Sequence, residues 1–297
     1  MSVLVDRSSR VVIQGITGRE GSFHTAQMRA FGTQVVAGVS PGKGGGEQEG
    51  VPIFDTVADA VRATGADVAG VFVPPPFAAD AIMESAAAQV ALTVCITEGI
   101  PVHDMVRARV YVERAGVRLL GANCPGIVTP EQCKVGIIPN HINRPGPVGI
   151  VGRSGTLTYE VIQALGQAAM GQTTSVGIGG DPVLGLNFTE VLGLFAGDPD
   201  TRAVVMIGEI GGSDEENAAA WIRSSGFEKP IVAFISGRTA PPGKRMGHAG
   251  AIISGTTGTA QSKIDALTDA GAAIADTIED VVVLVAKALE RTAAVPR

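Results

Sequence analysis

The chain has 297 residues, of which 45% are hydrophobic and 18% charged, so it can form a sizeable core and global disorder is not expected. This length is typical of one large domain or two ordinary ones. The net charge of −6 argues against a nucleic-acid coat or a polybasic membrane anchor, and the aromatic content of 4% argues against a base-stacking platform.

The three cysteines, Cys95, Cys124 and Cys133, are sparse and show no CxxC spacing. They indicate a reducing compartment and predict neither a disulfide framework nor a metal site. The N-terminus lacks the pattern of a signal peptide, and the longest aliphatic run is far shorter than the roughly 20 residues that span a bilayer. We therefore predict a soluble, cytoplasmic protein that binds neither a membrane nor nucleic acid.

Short β-rich apolar runs alternate with amphipathic stretches along the whole chain. In the first half, strands are predicted at residues 11–15, 34–39, 68–73, 93–97 and 118–121, and helices at 78–89 and 102–115. In the second half, strands are predicted at residues 148–151, 175–178, 203–207, 231–235 and 272–275, and helices at 156–169, 215–224 and 278–291. This alternation predicts an α/β fold with parallel sheets and helices on both faces.

The segment 123–147 interrupts this alternation with a high density of proline and glycine. We place a domain boundary after Ala122, with this segment as the crossing. Residues 1–122 and 123–297 are then predicted to form one doubly wound domain each.

A glycine-rich turn follows the first predicted strand, in the sequence VVIQGITGREG. Gly15, Gly18 and Gly21 lie between a strand and a helix, where glycine permits a tight turn and the helix N-terminus favours an anion. Thr17 adds a hydroxyl donor and Arg19 a positive charge. The turn therefore predicts a site for a ligand that carries phosphate.

The end of the second predicted strand discriminates between such ligands. NAD sites carry an acidic residue about 20 residues further on, whereas this strand leads into VSPGKGG, with Lys43 and no carboxylate. A lysine suits NADP or the phosphates of coenzyme A (CoA). The segments FVPPPF and CITEGIP end the next two strands and place Ile96, Thr97 and Glu98 at the carboxyl edge of the sheet. These loops favour an extended thiol ligand over nicotinamide.

Eight motifs make the chain similar to one enzyme family. They extend over nearly the whole sequence in the order GITGREG, GVSPGKGG, ITEGIP, GANCPGI, RSGTLTYE, VGIGGDP, MIGEIGGSDEE and GKRMGHAGAI. With these motifs the chain resembles the α subunits of succinyl-CoA synthetase (succinate–CoA ligase). The resemblance implies an N-terminal Rossmann-like CoA-binding domain and a flavodoxin-like ligase domain with a phosphorylated histidine. It also implies a separate β subunit, whose ATP-grasp site binds the Mg-nucleotide.

The reaction implied by the resemblance converts succinyl-CoA, a nucleoside diphosphate (NDP) and phosphate reversibly into succinate, CoA and a nucleoside triphosphate (NTP). Carried over by position, the resemblance implies CoA contacts from Thr17, Gly18, Arg19, Glu20, Lys43, Ile96, Thr97 and Glu98. It further implies that Tyr159 lies at the acyl site and that His248 is the phosphohistidine. The chain departs mildly from the family pattern at two places. Gly152 stands where serine is common, and Arg19-Glu20 is a pair of residues that varies within the family.

The residues around His248 suit phosphoryl transfer. Its neighbours have small side chains or none, which predicts an exposed ring on a mobile loop. A neutral imidazole is a nucleophile near pH 7. Glu209 ends a predicted strand before two glycines and is expected to orient the ring. Ser154 and Gly155 open a helix after a strand, where backbone amides and the helix dipole predict a phosphate cradle.

The segment GRTAPPGKR resembles a P-loop but does not match it. Five residues separate Gly237 from Gly243, and Arg245 follows the lysine where a P-loop needs serine or threonine. The sequence therefore predicts that the nucleotide binds to a partner subunit.

Three alternatives remain open from the sequence. The first is a related acid–CoA ligase α subunit, such as that of malate–CoA ligase. The second is an NAD(P)-dependent dehydrogenase, and the third is a CoA-binding regulatory module without chemistry. Lys244 and Arg245 are equally compatible with phosphate steering and with loop solubility.

Overall fold

The computed structural model of the chain describes residues 2–241, 243–254 and 258–293, so the last four residues of the second predicted domain lie outside it. The described residues form two compact units. The first contains residues 4–140 and 183–186, and the second contains the N-terminal residues up to 3, residues 141–182 and the chain from 187 onward.

The first unit is built on a parallel sheet of Rossmann order. Its strands are β1 (Arg10–Gln14), β2 (Gln34–Val39), β3 (Glu47–Gln48), β4 (Val51–Phe54), β5 (Val68–Val71), β6 (Leu92–Cys95) and β7 (Arg118–Leu120). They lie in the order β3-β4-β2-β1-β5-β6-β7, and every pair is parallel except the edge pair β3–β4. Apart from the short β3, the order runs outward in both directions from β1, and the direction of winding reverses between β1 and β5.

Helices join these strands and bury small apolar side chains against the sheet. They are α1 (Arg19–Phe31), α2 (Val57–Thr64), α3 (Pro75–Ala87) and α4 (Val102–Ala115). Ala78, Ile82 and Ala86 of α3 pack in one core cluster with Met105 and Ala108 of α4. Alanine allows these helices to lie close to the sheet and to each other.

The proline- and glycine-rich segment forms an antiparallel hairpin of β8 (Gly126–Thr129) and β9 (Cys133–Gly136), which belongs to the first unit. The compact units divide after Asn140, whereas the sequence analysis places the boundary after Ala122. The glycines have a packing role here, because a Cβ at Gly126 would lie 2.0 Å from the carbonyl oxygen of Val135. In this segment, the high glycine content therefore reflects closely paired strands as well as loops.

The second unit has five parallel strands in flavodoxin order. Its strands are β10 (Pro145–Gly152), β11 (Gln172–Gly177), β12 (Ala203–Glu209), β13 (Ile231–Ser236) and β14 (Ala273–Ala275). They lie in the order β14-β13-β12-β10-β11, with all pairs parallel. The direction of winding reverses between β10 and β12, whose carboxyl ends are the expected ligand edge.

The helices of the second unit are α5 (Gly155–Gln167), α6 (Phe188–Gly197), α7 (Asp214–Ser225), α8 (Ala260–Asp269) and α9 (Ile278–Ala293), and a short 3-10 helix occupies Asn140–Ile142. All seven residues of the central strand β12 are buried. The prediction of two doubly wound α/β domains is thus confirmed. Within the described ranges, no helix combines the length and apolar character needed to cross a membrane.

Candidate functional site

A cavity of about 810 Å³ opens at the carboxyl ends of the strands of the first unit. Gln14 and Gly15 at the end of β1 line one side, and Phe72 and Val73 after β5 line another. The cavity therefore lies where the winding reverses, which is where open α/β sheets bind ligands. Its volume falls in the range of about 300–1,000 Å³ that is usual for cofactor sites.

The predicted glycine-rich turn forms part of this cavity. Gly15 adopts φ of +79°, and its carbonyl oxygen accepts a hydrogen bond from the Gly18 amide over 2.9 Å. A Cβ at Gly21 would lie 2.2 Å from that same oxygen, so α1 can start this close to the turn only because Gly21 has no side chain. Gly18 caps α1 without a side-chain acceptor, and the positive end of the helix dipole is thus presented to an anionic ligand.

A short chain of polar side chains connects this turn with the end of β2. The ammonium of Lys43 donates to Oγ1 of Thr17 over 3.1 Å, and the hydroxyls of Thr17 and Ser40 lie 3.0 Å apart. All three residues line the cavity. A cation therefore stands where an NAD site would need a carboxylate, as the sequence predicts.

The predicted CoA residues divide into two groups. Thr17, Gly18, Arg19 and Lys43 line the cavity, whereas Glu20, Ile96, Thr97 and Glu98 are absent from its described lining. The side chain of Arg19 is 92% exposed and its Nε donates to Glu20 over 3.0 Å. Thr97 does not line the cavity itself, but its hydroxyl donates over 2.7 Å to the carbonyl of the lining residue Val73.

In the second unit, His248 and Glu209 are in contact although they are 39 positions apart. Nδ1 of the ring lies 2.9 Å from each carboxylate oxygen of Glu209, which ends β12 and has a side chain only 7% exposed. An ionised carboxylate only accepts hydrogen bonds, so with Glu209 ionised the proton is on Nδ1 and the lone pair of a neutral ring is on Nε2. A carboxylate orients a reactive histidine in this way in several enzyme classes.

The backbone of Gly180 provides the surface on which the ring of His248 packs. A Cβ at Gly180 would lie 2.2 Å from Cγ of the ring and 2.3 Å from Nδ1, and the amide of Gly250 donates to the Gly180 carbonyl over 3.0 Å. The His248 side chain is consequently only 24% exposed. The prediction of an exposed ring is wrong for this conformation, because small neighbours allow the loop to come close to Gly180.

The start of α5 lies at the switch point of the second sheet. The hydroxyl of Ser154 accepts from the Leu157 amide over 3.4 Å and so caps its own helix. Gly155 is the first residue of α5, and Tyr159 is partly buried on the same helix. An anion at this position would therefore be held mainly by backbone amides.

Arg153 is a residue of this site that the sequence analysis missed. It lies between β10 and the cap of α5, its side chain is 5% exposed, and its Nε lies 3.5 Å from Oε1 of Glu209. The sequence offered only one signal for it, its position directly before Ser154. Its partner Glu209 comes from a distant strand, which a local pattern cannot indicate.

A fully buried ion pair, Glu215 with Lys263, contacts the backbone of Glu209. Oε1 of Glu215 accepts from the Glu209 amide over 3.1 Å, and the Glu215 carboxylate contacts the ammonium of Lys263. Lys263 also donates to Glu216 over 3.2 Å. Burial raises the pKa of Glu215, while the positive charges of Lys263 and Arg153 oppose this shift. The end of β12 is thus held by α7 and α8.

Two family models match the chain in regions that correspond to the two sites. The model described as a CoA binding domain matches residues 6–99, and the model described as CoA-ligase matches residues 151–273. The first range contains the glycine-rich turn, and the second contains Glu209 and His248.

Curated relatives match over nearly their full length. The chain is 56% identical to the "Succinate--CoA ligase [ADP-forming] subunit alpha" of Staphylococcus epidermidis, over 95% of this chain and 93% of the relative. It is 55% identical to the protein of the same name from Staphylococcus aureus, with the same coverage of both chains.

Solved structures of larger enzymes share the fold. ATP citrate lyase from Methanothrix soehngenii, in complex with citrate and coenzyme A, superposes with a TM-score of 0.87 at 25% identity, over 99% of this chain and 52% of that one. A dinucleotide-forming acetyl-coenzyme A synthetase from Ca. Korarchaeum cryptofilum has a TM-score of 0.75 at 21% identity, over 92% and 59%. The chain thus spans about half the length of each of these structures. From the family models and the curated relatives, the chain belongs to the succinate–CoA ligase α-subunit family and is a CoA-binding acid–thiol ligase subunit.

Proposed function

We propose that the chain catalyses the reversible conversion of succinyl-CoA, NDP and phosphate into succinate, CoA and NTP through a phosphorylated His248. The observation that carries this proposal is the 2.9 Å contact between Nδ1 of His248 and Glu209, in a chain of a CoA-ligase family. A ligase that splits a thioester at one place and forms a nucleotide at another needs a carrier for the phosphoryl group. A histidine with its lone pair on Nε2 meets that need.

In the direction of NTP synthesis, a phosphate oxygen attacks the thioester carbonyl, the C–S bond breaks, and CoA leaves as the thiolate. Nε2 of His248 then attacks the phosphorus of the acyl phosphate. The N–P bond forms, the bond from phosphorus to the acyl oxygen breaks, and succinate leaves with the electron pair. The ring becomes positive, and the Glu209 carboxylate stabilises that charge through the proton on Nδ1. Transfer to NDP restores the neutral ring.

The cavity of the first unit is proposed to bind CoA. Its size, its helix N-terminus and the cation of Lys43 suit a ligand with several phosphates. Thr17, Gly18 and Arg19 are proposed to contact CoA directly. Four of the predicted CoA contacts do not line the cavity: Glu20, Ile96, Thr97 and Glu98. They remain predictions, and CoA would have to extend beyond the cavity to reach them.

The acyl phosphate is proposed to form beside α5. The amides at Ser154 and Gly155 would hold its phosphate, and Tyr159 would contact the acyl group. Lys244 and Arg245 are exposed on the His248 loop, and both phosphate steering and solubility remain compatible with that position.

A second subunit is proposed to complete the enzyme. The curated relatives are named α subunits, and the sequence GRTAPPGKR does not match a P-loop. We therefore propose a β subunit with an ATP-grasp site, which binds the Mg-nucleotide and sets the preference for ADP or GDP. A cytoplasmic location is proposed from the sparse cysteines.

The experiment is a thiol-release assay with the purified complex of both subunits. Succinyl-CoA, phosphate and NDP should release CoA and form equimolar NTP, and omission of phosphate should stop both. Turnover of malyl-CoA in preference to succinyl-CoA would assign the chain to the related malate ligase. Substrate-dependent NAD(P)H absorbance without thiol release would support the dehydrogenase and refute the proposal.

A further inference from the structure

The buried guanidinium of Arg153 has a donor that no described group uses. Arg153 follows β10, and its amide donates to the carbonyl of Ile207 in β12 over 3.0 Å. Its side chain is 5% exposed, and Nε lies 3.5 Å from Oε1 of Glu209 without a hydrogen-bond partner among the described atoms. Because buried donors are rarely left unsatisfied, this arrangement requires an explanation.

The same guanidinium lies close to the backbone of the two segments that follow His248 and Glu209 in the chain. A Cβ at Gly250, two residues after His248, would lie 3.0 Å from Nη2, and a Cβ at Gly212 would lie 3.8 Å from Nη1. Arg153 therefore borders the loop that carries the histidine and the turn that follows Glu209.

Charge balance indicates what Arg153 does there. The described charged and titratable groups around Glu209 are His248 from the loop, Arg153 after β10, Glu215 and Glu216 from α7, and Lys263 from α8. The buried Asp181 lies beside Gly250, next to the Arg153 guanidinium. Lys263 is engaged with both glutamates of α7, and a neutral imidazole brings no charge. Among the described residues, Arg153 is thus the cation paired with Glu209, and its charge also acts on Glu215. A buried carboxylate without such a cation tends to take up a proton.

Protonation of Glu209 would change the chemistry of the histidine. A protonated carboxyl can donate a hydrogen bond to Nδ1, which then holds the lone pair while Nε2 carries the proton. That tautomer cannot attack phosphorus from Nε2. We propose that Arg153 is a positioning residue that keeps Glu209 ionised and thereby keeps the lone pair of His248 on Nε2. This inference rests on the proposed phosphohistidine function.

The test is the pH profile of histidine phosphorylation in single turnover, with the complex of both subunits and NTP labelled in the γ-phosphate. Arg153→Gln should move the acid limb of the profile to higher pH by about one unit, so that the rate at pH values on that limb falls roughly ten-fold. Arg153→Lys retains the charge and should restore most of the wild-type profile. Arg202→Gln is the control, because Arg202 is a partly buried arginine at the opposite end of β12, where it donates to the Leu289 carbonyl over 3.1 Å; it should leave the profile unchanged.

A second comparison covers the case in which Arg153→Gln folds poorly. In a Glu209→Gln background, where the partner cannot ionise, Arg153→Gln should cause no further loss of rate. An unshifted acid limb in Arg153→Gln, or an equal loss of rate in both backgrounds, overturns the inference. Absence of label in the wild type overturns the proposed function and this inference together, whereas label with an unshifted profile overturns this inference alone.

Discussion

The substitution Gly180→Ala provides a direct test of how His248 is oriented. The new Cβ would lie 2.2 Å from Cγ of the ring, and ordinary contacts begin at 3.4 Å. The ring and the backbone of residue 180 must therefore separate by about 1.2 Å, which is the difference between these two distances. Such a shift away from Gly180 is enough to break the 2.9 Å hydrogen bonds between Nδ1 and Glu209.

The expected loss follows from that hydrogen bond. A hydrogen bond to a charged group contributes about 1.5–3 kcal/mol, so the rate constant for His248 phosphorylation should fall by roughly 10- to 100-fold. Rapid-quench measurement with γ-labelled NTP gives this rate constant independently of the active fraction. The affinity for CoA, measured by calorimetry, should stay within about two-fold, because the CoA cavity belongs to the other unit.

Gly197→Ala is the matched control for this substitution. Gly197 ends α6 in the same unit, and a Cβ there would meet no atom within 4 Å. Alanine at this position should leave phosphorylation unchanged and should preserve or slightly raise the melting temperature. A Gly180→Ala enzyme that phosphorylates at the wild-type rate would refute the proposed orientation of the ring.

Three further changes test other parts of the structure. Lys43→Ala removes the cation hydrogen-bonded to Thr17 and should weaken CoA binding by about ten-fold at low salt and less at high salt; equal loss at both salt concentrations in calorimetry would argue against a phosphate contact. Burial lowers the pKa of Lys134 from 10.5 to about 8, so the folded chain loses this proton first as the pH rises. Relative to Lys134→Met, the wild type should therefore gain up to about 3 kcal/mol in free energy of unfolding between pH 8 and 10.5; parallel pH dependence in denaturant titrations would contradict this. Asn187→Ala removes the capping box at the start of α6 and should cost about 1 kcal/mol of stability; an unchanged melting temperature would exclude that role for the cap.

The regular parts of the fold were predictable because local patterns encode them. β2 at Gln34–Val39 and α4 at Val102–Ala115 have the predicted bounds, since one is a short apolar run and the other has clear helical periodicity. The helix α6 (Phe188–Gly197) was not predicted, because it is apolar on most sides and shows little contrast between faces. The hairpin of β8 and β9 was missed because its glycines were read as turn formers, whereas they permit close strand pairing.

The residues of the candidate site could be predicted from the sequence more readily than their geometry. His248 and Glu209 were selected from their motifs, and the structure brings them together. The packing of the ring on Gly180 and the charge of Arg153 beside Glu209 both depend on contacts between distant segments. Local residue patterns do not encode such contacts, so these two features required the structure.

The most direct test of the account is whether the chain carries a phosphoryl group on His248. The complex of both subunits is incubated with NTP labelled in the γ-phosphate, and the modified peptide is identified by mass spectrometry. We expect an acid-labile, base-stable label on His248 that is lost in His248→Asn and is discharged when succinate and CoA are added. No label in the wild type, or a label that persists in His248→Asn, would contradict the account.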